Sequence, residues 1–404
     1  MSSEVAVTVV RSWANAPNEK IMASAANIDF VFISFMCYPA KAAASNQLLC
    51  HMQFSRTIIL LIKFGSVILM AGQMWSCKSV HQSGPISSID TLLTDKISIR
   101  ALAVAKEKLW YGADKARYGY INLKTGRRHE ASALADSVTG EFRSIALAGR
   151  RVLIASAGAP AVIFSVEEDL SRRRVYLDPH PDAFFDSMRF LSPSHGFVVG
   201  DPTSGCFTLL QSFDAGGSWN RIPCSQAIAN LDGEAAFAAS NGNIASSGNN
   251  IWIFTGGKSS RILKSVDKGK TWSAYPTPMI SGKAMTGTFA GDFYDPRNGI
   301  IVGGDYENPV GRHLNKAVTT DGGITWKTVS DGTGFGYAST VKYVPGSRAK
   351  KVVAAGPSGV FMSFDSGRSW NKIIDDSDIH ALMMNGSKTI YAAGRGKILR
   401  ITLR

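Results

Sequence analysis

The chain has 404 residues, of which 45% are hydrophobic and 19% are charged, and its 44 lysines and arginines exceed its 31 acidic residues to give a formal net charge of +13. The basic residues are dispersed apart from the runs Arg127-Arg128 and Arg172-Arg173-Arg174. No recognised nucleic-acid-binding motif accompanies them, so we expect no nucleic-acid partner. The excess charge favours solubility and attraction to anionic surfaces, or else it marks a docking patch for an acidic partner.

Residues 1–51 stand apart from the rest of the chain. They carry few charges and show none of the repeats described below. We hypothesise that Met52 is the true start, which would make residues 1–51 a non-native or disordered extension. The alternative is a plastid transit peptide, because acidic residues are few here. Only Arg11 and Arg56 supply arginine before residue 77, which argues against it.

Residues 52–77 have the organisation of an export signal. Met52-Gln-Phe-Ser-Arg56 supplies a basic start, and the short apolar run Ile58–Gly72 follows. Ser76-Cys77 resembles the end of a bacterial lipobox and predicts a lipidated Cys77, although Trp75 replaces the usual small residue. A signal cleaved without lipidation and a retained anchor are the alternatives. We therefore expect an extracytoplasmic protein, periplasmic or anchored in the outer membrane as a lipoprotein, with a plastid location less favoured and membrane contact only through the lipid.

One strand motif recurs from residue 78 to the end of the chain. It is an apolar strand that ends in small residues, and it follows a shorter apolar strand and a turn. Units at this spacing are typical of four-stranded blades around an axis. We therefore predict an all-β fold, a seven-bladed β-propeller of four-stranded antiparallel blades, over residues 78–404. The seven strands are Leu109–Asp114, Val152–Gly158, Phe197–Pro202, Ile251–Gly257, Ile301–Asp305, Val352–Pro357 and Thr389–Gly394.

The two ends of the propeller are expected to meet. The last unit ends with Lys397–Leu403 at the end of the chain. A strand near Ser87–Leu93 is expected to pair with this unit, because closure removes exposed strand edges. No helical periodicity of useful length occurs after residue 80.

Four copies of the motif [ST]-x-D-x-G-x-[ST]-W follow four of these strands. The Asp is expected to accept backbone N–H bonds within the turn, the Gly to supply a positive φ, and the Trp to cover the hairpin. The motif is similar to the Asp-box, or BNR repeat, of β-propellers such as sialidases, in which it lies on an outer hairpin. We therefore expect a structural and not a catalytic role. The Asp and Trp residues are Asp214 and Trp219, Asp267 and Trp272, Asp321 and Trp326, and Asp365 and Trp370.

Cys206 and Cys224 flank the first Asp-box symmetrically, each nine residues from Ala215. This spacing places them opposite each other on two paired strands. A cross-strand disulfide would form in an oxidising compartment, and two buried thiols are the equally favoured alternative.

Polar residues at the start of the inner strands are the candidate ligand-binding site. Alignment of these strands places Arg100, Arg143, Asp186 and His380 at one equivalent position, where they would line one mouth of the axial channel. The competing interpretation is that these groups satisfy contacts between blades. Further candidates on the inner or flanking loops are Asp114, Asp201, Glu234, Asn241, Lys258, Asp305, Tyr306, Lys316 and Arg395.

A glycoside hydrolase is the alternative function, since two carboxylates that face a pocket would suffice for that chemistry. The set available for it is Asp186, Asp201, Glu234 and Asp305. The histidines after residue 77 show no ligand spacing, and no phosphate-binding loop is present, so we expect no metal and no cofactor.

Three longer segments, Phe184–Pro202, Gly233–Ile244 and Arg297–Tyr306, resemble the exported bacterial relatives of the photosystem II stability/assembly factor family. The resemblance covers roughly Lys96 to Leu403. The resemblance implies a seven-bladed propeller without known catalysis. The photosynthetic members of that family bind a precursor subunit through an arginine-rich patch. We therefore expect a non-catalytic, monomeric binding or assembly scaffold for a protein or glycan.

Overall fold

The computed structural model describes residues 84–134, 138 and 140–404. The predicted extension at 1–51 and the predicted export signal at 52–77, with Cys77, lie outside these residues. In the described part the secondary structure consists of β-strands without an α-helix. Over the same residues, no helix has the length and apolar character needed to cross a membrane.

Most strands are short, except β1 and β28, and they are linked mainly by tight turns. In chain order they are β1 Ile86–Ala105, β2 Lys108–Ala113, β3 Arg117–Asn122, β4 Arg128–Ser132, β5 Glu141–Ala148, β6 Arg151–Ala157, β7 Ala161–Val166, β8 Arg172–Asp178, β9 Phe185–Phe190, β10 Gly196–Thr203, β11 Cys206–Ser212, β12 Asn220–Arg221, β13 Glu234–Ala235, β14 Ile244–Ser247, β15 Asn250–Phe254, β16 Gly256–Gly257, β17 Arg261–Ser265, β18 Ser273–Pro276, β19 Thr286–Phe293, β20 Gly299–Asp305, β21 Lys316–Thr319, β22 Lys327–Thr328, β23 Thr340–Tyr343, β24 Val352–Gly356, β25 Gly359–Ser363, β26 Asn371–Ile374, β27 Ile379–Asn385 and β28 Thr389–Leu403.

These strands form six antiparallel sheets, which are the blades of a β-propeller. Four blades have four strands, in the orders β5-β6-β7-β8, β12-β11-β10-β9, β14-β15-β17-β18 and β23-β24-β25-β26. The other two have six strands, in the orders β27-β28-β1-β2-β3-β4 and β13-β16-β19-β20-β21-β22. The prediction of seven four-stranded blades is therefore wrong, because hydrogen bonds join strands that the repeat pattern assigned to separate units.

The strand β1 explains most of this difference. It runs unbroken for 20 residues and belongs to two ladders. Its first half pairs with β28, from Ile86 opposite Leu403 to Ser98 opposite Arg395. Its second half pairs with β2, from Ile99 to Ala105. The predicted closure of the two ends is confirmed, but a single continuous strand makes it and so fuses the first and last sequence units into one sheet.

The second six-stranded blade contains a short addition at its inner edge. Gly256 in β16 pairs with Gly287 in β19, and Glu234 in β13 pairs with Gly257. Glycine permits this approach, since a Cβ at Gly287 would lie 2.6 Å from the Cα of Gly256. Successive inner strands contact one another around the axis in the order β1, β5, β9, β14, β19, β23 and β27.

The hydrophobic core lies between neighbouring blades. The strands in the middle of each blade are almost entirely buried, as in β7 and β24. Between the first two sequence units, Tyr118 meets the ring of Phe142 edge-on at 5.9 Å, and Phe142 meets Phe164 in the same way at 6.1 Å. Apolar side chains on both faces of a strand are therefore what allows the blades to stack.

Each Asp-box forms the same hydrogen-bonded turn. In the third box the Thr319 hydroxyl donates to Asp321 at 2.7 Å and accepts from the Gly323 amide at 3.0 Å. Asp321 also accepts bonds from the amide of Thr325 at 3.0 Å and from its hydroxyl at 2.6 Å. The boxes of Asp214, Asp267 and Asp365 repeat this pattern.

The Asp-boxes also fasten neighbouring blades together. In the first box Ala215 and Gly216 both have positive φ, 58° and 74°. A Cβ at Gly216 would lie 2.1 Å from a methyl of Leu153 in the preceding blade, so this glycine is needed for close packing as well as for the turn.

Each Trp covers a Phe ring edge-on, in the pairs Trp219–Phe190, Trp272–Phe197, Trp326–Phe293 and Trp370–Phe335.

We expect Asp267→Asn to lower the free energy of unfolding at pH 7 by about 1 kcal/mol, because charge-assisted bonds in an exposed turn are partly screened by water. Hydrogen bonds from Thr271 and its neighbours lower the pKa of Asp267 to about 2. The stabilisation is therefore present above pH 4 and is lost as the pH falls towards 2. Urea unfolding at pH 7 and pH 3 measures it, with the exposed Asp375→Asn as the control. A loss of equal size at both pH values would contradict the assignment.

Candidate functional site at the propeller axis

The axis is occupied by a segment of the chain, residues 236–243, which we call the axial segment. It enters from β13 and leaves into β14, and all its residues except Asn241 are buried. Asn241 donates to the carbonyl of Ile145 in β5 at 2.8 Å and accepts from the amide of Met188 in β9 at 2.8 Å. On the other side Phe237 stacks on Phe289 in β19 at 3.9 Å. A segment that bonds to strands across the axis fills the channel between them.

Small side chains make this arrangement possible. The axial segment contains Ala236, Ala238, Ala239, Ser240 and Gly242, which fit the narrow space between inner strands. In the sequence this stretch was recognised as part of a family resemblance and, at Asn241, as a loop candidate, but its position at the axis was missed. The run of small residues next to two asparagines is the signal that could have indicated it.

Three basic side chains surround one end of the axial segment. Arg100 in β1 donates to the carbonyl of Ala239, and Arg143 in β5 donates to the carbonyl of Ala238, both at 3.3 Å. Arg143 also pairs with Glu141 at 2.8 Å. Burial, with the charges of Arg100, Arg395 and Arg143, lowers the pKa of His380 to about 4, so this imidazole is neutral at pH 7. We call Arg100, Arg143 and His380 the basic mouth.

The basic mouth contains buried polar atoms without a partner. Within the described residues, Nε of Arg100 and Nε2 of His380 are buried and make no hydrogen bond. Burial and the nearby charge of Arg143 lower the pKa of Arg100, which means that its charge is poorly compensated. A buried N–H donor next to a second cation is a favourable position for an anionic oxygen. The structure thus brings together Arg100, Arg143 and His380 as the strand alignment predicted, while their role as a ligand site stays a prediction.

Asp186 lies next to the basic mouth but is fully buried. Burial and the charge of Asp201 raise its pKa well above the ordinary value, although Arg143 opposes the shift. Burial also raises the pKa of Asp201 to about 6, although the amide of Ala236 donates to it at 3.2 Å. A raised pKa suits a general acid, but a side chain with no exposed surface does not reach a substrate. Asp186 is better described as a buried carboxyl that interacts with the partly buried Asp201 next to the axial segment.

The other carboxylates of the predicted glycosidase set are already paired. Glu234 is buried and receives two bonds from Arg261, at 2.5 and 3.0 Å, and one from Thr255 at 2.5 Å. Burial would raise the pKa of Asp305, but Lys283 at 3.2 Å and two backbone amides outweigh it, so the pKa is lowered. The structure therefore does not bring Glu234 or Asp305 together with Asp186 in one open pocket.

The further loop candidates are scattered among local contacts. Asp114 pairs with Arg117 at 2.5 Å, Lys258 with Asp232 at 2.9 Å, and Arg395 with Asp378 at 3.7 Å. Lys316 donates to Asn315 at 2.6 Å and lies over the ring of Phe335 at 4.7 Å, and burial lowers its pKa to about 8. Tyr306 is half-exposed beside Tyr337.

Cys206 and Cys224 form a disulfide, with their Cα atoms 5.6 Å apart. Among the described residues, no group of three or more His, Cys, Asp or Glu side chains is arranged to hold a metal ion.

Comparison with known proteins agrees with this architecture. Residues 317–328, which include the third Asp-box, match the BNR/Asp-box repeat model. The fold is similar to that of YCF48 bound to D1 peptide, with a TM-score of 0.58, 14% identity, and coverage of 80% of this chain and 98% of that one. YCF48 from Cyanidioschyzon merolae gives 0.58 and 12%, covering 78% and 99%. Streptogramin B lyase gives 0.58 and 13%, covering 80% and 100%. A search of curated protein sequences gives no match.

These similarities confirm the predicted Asp-box propeller and its resemblance to the photosystem II assembly factor family. At 12–14% identity they show the fold alone.

Proposed function

We propose that this protein is a binding or assembly scaffold whose basic mouth receives an acidic segment of a partner protein. The observation that carries the proposal is the buried Nε of Arg100, which has no partner in the described part of the chain, beside a second guanidinium at Arg143. A carboxylate from a partner would satisfy both groups and replace the charge compensation that the fold omits. The similarity to a YCF48 structure with a bound D1 peptide supports a peptide as the ligand class.

The immediate surroundings favour an acidic peptide over a glycan. Arg143 is paired with Glu141, whereas no carboxylate pairs with Arg100 among the described residues. The axial segment behind the mouth presents backbone carbonyls, two of which are already taken by the two arginines. What remains for a ligand is therefore a set of N–H donors with excess positive charge, which is complementary to carboxylates.

We also propose that this activity takes place outside the cytoplasm. The disulfide between Cys206 and Cys224 supports an oxidising compartment, in keeping with the export signal predicted at residues 52–77. Lipidation at Cys77 would hold the propeller at a membrane surface, where assembly of membrane proteins takes place.

Fluorescence anisotropy with a labelled acidic decapeptide tests the proposal. We expect binding that weakens as salt is added and is at least tenfold weaker in Arg100→Met and Arg143→Met, because each variant removes one cation of the mouth. Arg127→Met removes the same charge from an exposed turn and should bind like the wild type. The decapeptide with Gln and Asn in place of its acids should not bind.

Equal binding by all variants would overturn the basic mouth as the site. Retention of neutral oligosaccharides without any peptide binding would overturn the protein-scaffold proposal in favour of a glycan ligand. A melting curve for each variant shows whether lost binding reflects lost folding.

A further inference from the structure

The far end of the axis contains a cavity to which the basic mouth does not contribute. Its volume is about 360 Å³, within the range of small-molecule sites. Most of its wall is made by residues of β1, β5, β9 and β27 that lie two to four positions further along these strands than Arg100, Arg143, Asp186 and His380. Ser240 and Asn241 of the axial segment form its floor, so the segment separates the two ends.

One side of this cavity is apolar. Leu102 in β1, Leu147 in β5, and Met383 and Met384 in β27 line it. These three strands are consecutive around the axis, so their side chains form one continuous surface. Leu147, Met383 and Met384 are only partly buried, which leaves apolar area for a ligand to cover. Unbranched methionines adapt to the shape of what they contact.

The opposite side carries charge. Arg189 in β9, Asp292 in β19 and Lys342 in β23 lie on the remaining inner strands. Asp292 accepts from the amide of Tyr343 at 2.8 Å, and Arg189 donates to Ser246 at 3.3 Å. Two cations therefore face one carboxylate. Arg189 is exposed, so this side of the cavity is open to solvent.

Lys342 is the group that most needs a partner. Its ammonium makes no hydrogen bond and no ion pair with the described residues, although the side chain is partly buried. Burial lowers its pKa, and Arg189 acts in the same direction while Asp292 opposes the shift. A partly desolvated ammonium next to a second cation favours an anion. The apolar wall across the cavity then favours a ligand whose remaining part is hydrophobic.

From this geometry we propose that the cavity binds a free amphiphilic carboxylate, with the carboxylate held by Lys342 and Arg189 and the apolar part packed against Leu102, Leu147 and the two methionines. A monoanion matches the one unbalanced positive charge. This site lies beyond the proposed partner site and does not depend on it.

Isothermal titration of the full chain with octanoate tests this inference. Octanoate should bind, and octanol, which keeps the tail and lacks the charge, should bind at least tenfold more weakly. Lys342→Met should weaken octanoate at least tenfold and leave octanol unchanged, because it removes only the ammonium. Asp292→Asn should strengthen octanoate, because it removes the one opposing carboxylate and keeps an acceptor for the Tyr343 amide.

Arg100→Met should leave octanoate binding unchanged, which separates this site from the basic mouth. The inference is overturned if octanoate and octanol bind equally, or if Lys342→Met does not change octanoate binding in a variant that melts like the wild type. It is also overturned if only vesicles of anionic lipid, and not free octanoate, are bound through Lys342.

Discussion

Arg261→Met is expected to lower the free energy of unfolding by about 3–5 kcal/mol, because it leaves a buried carboxylate without its cation. Glu234 has no exposed side-chain surface, and Arg261 supplies two of its hydrogen bonds, at 2.5 and 3.0 Å. The amide of Leu231 and the hydroxyl of Thr255 supply the others but carry no charge. Glu234 lies in β13, which directly precedes the axial segment, so the same change should loosen the residues that fill the axis.

Urea unfolding of the wild type and two variants measures this effect. The matched control is Lys258→Met, which breaks the exposed pair with Asp232 and should cost less than about 1 kcal/mol. Adding Glu234→Gln to Arg261→Met should recover part of the loss, since it removes the stranded charge. Similar losses in Arg261→Met and Lys258→Met would show that burial of this pair has no special importance.

Asp186→Asn is expected to stabilise the protein at pH 8 by on the order of 1–3 kcal/mol, because it replaces a buried carboxyl that the fold must keep protonated or charged with an amide that is neutral at every pH. Neither carboxylate oxygen of Asp186 has a well-formed hydrogen bond, and burial together with Asp201 raises its pKa well above 3.8. A carboxyl with a raised pKa binds more protons in the folded state than in the unfolded one. Its contribution is therefore most favourable below about pH 4 and declines as the pH rises through the folded pKa.

The measurement is the urea midpoint at pH 5 and pH 8 for the wild type and the variant. The variant should lose less stability than the wild type over this interval, with Asp201 accounting for the remaining loss. Asp305→Asn is the opposite control, because the lowered pKa of Asp305 means that its charge stabilises the fold above pH 4. A lower stability of Asp186→Asn at pH 8 would contradict the buried, uncompensated carboxylate.

The axial segment gives the two ends of the propeller different chemistry. At one end its carbonyls hold Arg100 and Arg143, and the mouth is basic with neutral His380 beside it. At the other end Ser240 and Asn241 form the floor of a cavity that is half apolar. Because the segment is bonded to strands on several sides, a ligand at one end would be separated from the other by packed protein. We therefore expect the two binding tests to give independent results.

Local sequence determined the Asp-boxes completely. Each box closes within eight residues, since the hydroxyl, carboxylate and amide groups that bond to one another lie at most four positions apart. The apolar strands could also be recognised locally, because a strand that is buried on both faces needs consecutive apolar residues. The meeting of the two ends of the propeller followed from the need to remove strand edges, and the pairing of β1 with β28 confirms it.

Contacts between distant residues decided what the sequence alone did not. The number of blades depends on β1 pairing with both β28 and β2, and the repeat does not show that one continuous strand makes both ladders. The pairing of β16 with β19 adds two short strands to another blade, and the repeat does not show it either. Glu234 was a candidate catalytic carboxylate in the sequence, and only the fold shows that it forms a salt bridge with Arg261. The cavity of Lys342 arises from six inner strands and the axial segment together. Periodicity reports which face of a strand is buried, whereas tertiary structure alone decides which charges burial leaves without a partner.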